Sequence, residues 1–86
     1  MEIEHDLQES VFRATVDGKI AYVSYRIANG ALIVEHTIVP RPIEGRGIAS
    51  VLVKAAYDYA LTQELVPAAT CSYAARWLER HPEYMG

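Results

Sequence analysis

Between Val39 and Ile48 the hydrophobic period of this chain changes from two to about 3.6. The change falls across Pro40-Arg41-Pro42-Ile43-Glu44-Gly45-Arg46-Gly47, a segment that continues neither a strand nor a helix. Proline has no N–H for a sheet ladder, so Pro40 and Pro42 stop a strand. The residues before this segment read as sheet, and those after it begin as helix.

Upstream, Val11 to Val16 is rich in β-branched and aromatic residues and ends at Asp17-Gly18, a hairpin signal. Lys19 to Ile27 comes next, then Asn29-Gly30 as a second hairpin, then Ala31 to Val39. Strict alternation puts Ala21, Val23, Tyr25 and Ile27 on one face of the second strand, with Ile20, Tyr22 and Ser24 on the other. In the third strand it groups Leu32, Val34, His36 and Ile38 on one face, and Ile33, Glu35, Thr37 and Val39 on the opposite one. Downstream, Ile48, Val51, Leu52, Ala55, Ala56 and Tyr59 recur at helical spacing to about Gln63, which leaves Ser50, Lys54 and Asp58 toward solvent. Leu65 to Thr70 reads as a short strand, with Pro67 marking an edge or a bulge. A second helix starts at Ser72 or Tyr73, and its Trp77 and Leu78 should cover the sheet. The last residues, from His81, read as a short tail.

The order strand, strand, strand, helix, strand, helix predicts an α/β (α+β) fold. Its sheet is mixed and mostly antiparallel, with two main helices, in one domain spanning 1–86. An 86-residue chain has no room for a second domain.

Hydrophobic residues at 51% and charged residues at 22% exclude a disordered chain. The net charge of -3 and the lack of a basic run exclude a nonspecific nucleic-acid binder. No apolar stretch is long enough to span a bilayer. The acidic start, Met1-Glu2-Ile3-Glu4-His5-Asp6, lacks the apolar region of a signal peptide. A single cysteine, Cys71, excludes an intramolecular disulfide. The expectation is a cytoplasmic protein, a monomer or weak homodimer, with no metal, nucleic-acid or membrane partner.

A strand, a turn with two glycines and a helix start form a ready anion site. The first N–H groups of a helix have no internal partners, and the helix dipole adds partial positive charge there. Glycine lets the backbone approach a ligand and take positive φ. Phosphate or pyrophosphate suits such a cradle, with Arg41 and Arg46 at its rim. Glycines in this position also serve simply to shape a turn. The spacing is neither that of a P-loop nor that of a dinucleotide-binding fold.

The run EGRGIASVLVKAAYDYA from Glu44, preceded by VEHTIVP from Val34, resembles the cofactor-binding motif of the GNAT superfamily of acetyl-CoA-dependent N-acetyltransferases. That motif, Gln/Arg-x-x-Gly-x-Gly/Ala, aligns with Glu44, Gly45, Arg46, Gly47, Ile48 and Ala49. Farther on, Cys71-Ser72-Tyr73 and Glu79-Arg80-His81-Pro82-Glu83-Tyr84 resemble a subgroup of very small stand-alone members. The resemblance implies an N-acetyltransferase using acetyl-CoA (or binding CoA), with an amine as acceptor. The pyrophosphate would lie on the amides from Gly45 to Ser50. The pantetheine arm would pair with the backbone at Ile38 and Val39. The thioester would enter where the third strand splays from the parallel strand at Leu65 to Thr70.

Two departures from the family pattern matter. Glu44 stands where Gln or Arg is usual, and a carboxylate repels a pyrophosphate, so the backbone should do the binding. Ile38 stands where the small subgroup often has Glu, which removes one candidate base. Both departures leave open a CoA-binding sensor or interaction module with little catalysis.

The remaining candidates for chemistry are His36, Cys71 and Tyr73, with Glu35 a weaker one. Histidine exchanges protons near neutrality, and His36 lies near the expected thioester; a strand histidine packed between Val34 and Ile38 is the plainer reading. A thiol at a helix start can be reactive, and the resemblance places Cys71 near the cofactor sulfur as acid, acetyl acceptor or lining residue. A small buried hydrophobe is the alternative. Tyr73 can return a proton to the leaving thiolate, or simply pack.

Overall fold

Both turn dipeptides take positive φ throughout: 51° and 73° at Asp17 and Gly18, 53° and 77° at Asn29 and Gly30. Each therefore closes a two-residue hairpin whose twist matches that of its strands. The computed structural model describes residues 1–85. The hairpins join β2 (Val11–Val16), β3 (Lys19–Ala28) and β4 (Ala31–Ile38). After β4 comes a 3-10 turn at Arg41–Ile43, then α1 (Ile48–Thr62), β5 (Val66–Ala69), α2 (Ser72–Arg80) and a second 3-10 turn at Pro82–Met85. The sheet order is β1-β2-β3-β4-β5, antiparallel except for the parallel β4–β5 pair that α1 connects.

The sequence shows the first strand, β1 (Ile3–Asp6), only as an acidic segment. It pairs with β2, Ile3 opposite Ala14 and Asp6 opposite Val11. Its side chains alternate. Ile3 packs on the core, and His5 stacks on Phe12 with ring centres 3.9 Å apart. Glu4 and Asp6 hold the Arg13 guanidinium, each at 3.1 Å. The charges that mask the strand occupy its solvent side.

The third-strand face grouping is corrected by a β-bulge. On β3, Tyr25 pairs with Val34 but Ser24 pairs with His36, so Glu35 is the extra residue. A bulge reverses the facing of everything beyond it. Leu32 and Val34 are buried, as expected. Past Glu35, Thr37 lies beside the fully buried Val23 on the helix side, while His36 and Ile38 lie beside Ser24 and Tyr22 on the open side.

The helix face is also rotated from the expected one. α1 buries Ile48, Leu52, Val53, Ala56, Tyr57 and Ala60, while Val51 is exposed and Ala55 and Tyr59 are partly buried. The cause is α2, which covers a second side of α1. Trp77 packs on Tyr57, and its Nε1 donates to Ser50 Oγ at 2.9 Å, so Ser50 does not simply face solvent. The C-terminal segment is no loose tail. Tyr84 is buried, and its hydroxyl donates to Asp58, which also pairs with Lys54 at 2.7 Å.

The bulge makes a direct prediction. His36→Lys should change stability by no more than about 0.5 kcal/mol, as for an open surface position. Thr37→Lys, which places a charge on the core side, should cost at least about 1 kcal/mol more. Urea denaturation of both variants decides it, and the reverse ranking would mean regular alternation.

Candidate functional site

The glycine loop is anchored before it turns. Ile43 is completely buried, and the N–H groups of Ile43 and Glu44 donate back to Pro40 and Arg41 at 3.1 Å. Gly45 and Gly47 then take φ of 80° and 77°, the left-handed region that disfavours any side chain. Gly47 is the N-cap of α1 and supplies no capping side chain. Its carbonyl accepts the first helical bond, from Val51 N–H at 3.2 Å. The N–H groups of Ile48, Ala49 and Ser50 thus start the helix without internal partners.

A cavity of about 340 Å³ lies over these amides, bounded by Val39, Glu44, Gly45, Gly47, Ala49 and Tyr73 among others. The structure therefore gathers most of the expected cofactor residues round one space. Ser50 lines the adjoining cavity instead. Arg46 is held by Asp17 of the β2–β3 turn at 2.7 Å, while Arg41 enters no ion pair among the described residues. Ile38 is 44% exposed on the open side of the sheet.

The second part of the site is a gap in the sheet. Pairing between β4 and β5 ends at Val34 and Ala69. The carbonyl of Val34 then accepts from Thr70 N–H at 3.0 Å and Cys71 N–H at 3.3 Å, and the chain turns into α2. β4 runs on to Ile38 with no strand among the described residues paired on that side. Cys71 is the N-cap of α2 and half-buried. Its Sγ lies 3.5 Å from Thr37 Oγ1. Burial pushes the thiol up, but the Thr37 hydroxyl and the backbone N–H groups of Ala74, Tyr73 and Thr37 stabilise the thiolate and outweigh it. The net shift is downward, as expected of a thiol at a helix start.

His36 stands on the other side of the sheet from Thr37 and Cys71, exposed, with Glu35 drawn to Arg26 at 2.8 Å. Tyr73 is 41% exposed in the first turn of α2 and lines the cavity over the glycine loop. Nothing in the sequence singles out Thr37. Its only signal is the polar run Glu35-His36-Thr37 interrupting an apolar strand, which fits a bulge but does not specify one. Among the described residues no group of three or more His, Cys, Asp or Glu could hold a metal ion. No helix among them is long and apolar enough to cross a membrane.

Residues 11–86 match the family model for the GCN5-related N-acetyl-transferase. The chain is 33% identical to Protein NATD1 of Mus musculus and 32% identical to that of Homo sapiens; each alignment covers 95% of this chain, and 77% and 75% of those proteins. The NMR solution structure of a GCN5-like protein from Staphylococcus aureus superposes with a TM-score of 0.76 at 30% identity, covering 96% of this chain and 82% of that one.

The thiol has a clear test. Alkylation of Cys71 by iodoacetamide should reach half its maximal rate at a lower pH than for a free thiol. Thr37→Val, which removes a donor to the thiolate, should move that midpoint upward. An unchanged midpoint in Thr37→Val would show that the hydroxyl does not act on the sulfur.

Proposed function

The chain belongs to the GCN5-related N-acetyltransferase family, and from that premise we propose that it binds acetyl-CoA and transfers the acetyl group to an amine. One observation carries the reading. The uncapped start of α1, preceded by two left-handed glycines, adjoins the stretch of β4 that β5 leaves unpaired. In this reading the amides from Gly45 to Ser50 hold the pyrophosphate. The pantetheine arm runs along the backbone at Ile38 and Val39 toward the gap. Glu44 borders the cavity over these amides, and in this reading its carboxylate must turn away from the pyrophosphate, so binding rests on backbone dipoles.

The two sides of the sheet divide the chemistry. The amine attacks the thioester carbonyl directly, the C–S bond breaks, and one proton leaves nitrogen while another reaches sulfur. The acceptor approaches from the open side, where exposed His36 takes the proton from nitrogen. On the helix side Tyr73 returns a proton to the leaving sulfur. Cys71, steadied by Thr37, lines the thioester position. An exposed site of this kind suits a protein amine or a small polyamine.

A second reading rests on Ile38 and Glu44. With no carboxylate at Ile38 to act as base, the domain serves as a CoA-binding sensor or interaction module. Cytoplasmic location and a monomeric or weakly dimeric state belong to the same proposal.

Calorimetry tests the cradle. CoA and acetyl-CoA should bind, and Gly47→Val should weaken both at least about tenfold while circular dichroism reports an intact helix content. No binding to the parent protein at high micromolar ligand would sink the reading. Turnover against a panel of amines separates the two readings. His36→Ala should lower kcat by about a hundredfold with little change in acetyl-CoA affinity, and tight binding without any turnover would favour the module.

A further inference from the structure

Beside the glycine-loop cavity lies a second of about 350 Å³, lined by Ser50, Tyr73, Arg76, Trp77, Arg80 and His81. Tyr73 borders both cavities, and Ser50 directly follows Ala49 of the first, so the two share a wall.

The charges in this second cavity are unpaired and adjacent. Arg13, Arg26 and Arg46 each have a carboxylate at 3.1, 2.8 and 2.7 Å. Arg76 and Arg80 have none among the described residues. They sit four residues apart on one helix, a spacing at which like charges repel. Two unpaired guanidinia therefore stand together in a protein of net charge -3. An anionic ligand would relieve that repulsion.

The cavity also has a rigid aromatic wall. The rings of Trp77 and His81 stack with centres 3.8 Å apart and planes 14° apart. Trp77 is fixed by its bond to Ser50, and His81 by a 2.7 Å bond from Nδ1 to the Trp77 carbonyl. A carbonyl only accepts, so Nδ1 carries the proton and Nε2 is left without it in the neutral ring.

We propose that this cavity receives the 3′-phosphoadenosine end of coenzyme A, with Arg76 and Arg80 holding the 3′-phosphate and the adenine lying on the outer face of His81, whose inner face is stacked on the buried Trp77. The inference rests on the reading that the Gly45–Ser50 amides hold the pyrophosphate. Coenzyme A carries two separate anionic centres. The amides at the start of α1 serve one, and the ribose 3′-phosphate needs its own countercharge. Guanidinium forks match phosphate oxygens in pairs. Arg76 and Arg80 thereby make the protein selective for CoA over 3′-dephospho-CoA.

Calorimetry with CoA and 3′-dephospho-CoA tests this on the parent protein and on the double variant Arg76→Gln, Arg80→Gln. Both side chains are exposed, so the variant should fold. The parent should bind CoA about tenfold or more tightly than 3′-dephospho-CoA. The double variant should lose that preference, with CoA affinity falling to the 3′-dephospho-CoA level and 3′-dephospho-CoA affinity unchanged. Equal binding of the two ligands to the parent, or equal weakening of both in the variant, overturns the assignment and leaves the CoA reading standing. Binding of neither ligand to the parent overturns the CoA reading, and the assignment with it.

Discussion

The end of the β4–β5 pairing at Val34 is the constraint on which the site depends. One carbonyl, that of Val34, accepts from both Thr70 and Cys71, and the chain then leaves the sheet for α2. A longer β5 would cover the edge of β4 as far as Ile38. Because it stops, a stretch of strand backbone is left open beside a helix start. The bulge at Glu35 acts at the same place. It turns Thr37 toward Cys71 and sends His36 to the opposite side. Splay and bulge together divide a small sheet into a side that covers a thiol and a side that presents an imidazole.

Holding that gap in shape falls to the packing of the two helices. Tyr57, inside α1, donates to the carbonyl of Ala68 on β5 at 2.8 Å. Burial raises its phenol well above the ordinary value, so it remains a neutral donor. Trp77 ties α2 to the first turn of α1 through Ser50, and Tyr84 ties the C-terminal turn to Asp58 farther along α1. The start of α1 is therefore braced from its neighbours while its leading amides stay free. A small domain buries little surface, and these polar links join elements that a modest core alone would hold loosely.

Electrostatics point the same way as geometry. The protein is acidic overall, yet the arginines without ion pairs among the described residues are Arg41, just before the glycine loop, and Arg76 and Arg80, on the helix that borders it. Arg46, inside the loop, is paired with Asp17, which leaves the backbone amides and Arg41 as the local sources of positive potential.

Much of the fold was legible along the chain. The hairpins at Asp17-Gly18 and Asn29-Gly30, the proline stop and the change of period at Ile48 arise from local chemistry: positive φ, a missing N–H and side-chain spacing. The glycine cradle was legible for the same reason, since its φ values and free amides are properties of a few consecutive residues. What the chain alone did not determine are relations between distant residues. β1 is hidden by acidic side chains that Arg13 neutralises only once the strands pair. The buried face of α1 depends on α2, which packs against it from farther along the chain. The partnership of Thr37 with Cys71 requires one extra residue in β4, and a single-residue slip reverses every facing beyond it. Local residue chemistry determined which elements after β1 form and where an anion could rest; tertiary pairing alone decided which side chains meet there, because register and helix packing are set by contacts far apart in the sequence.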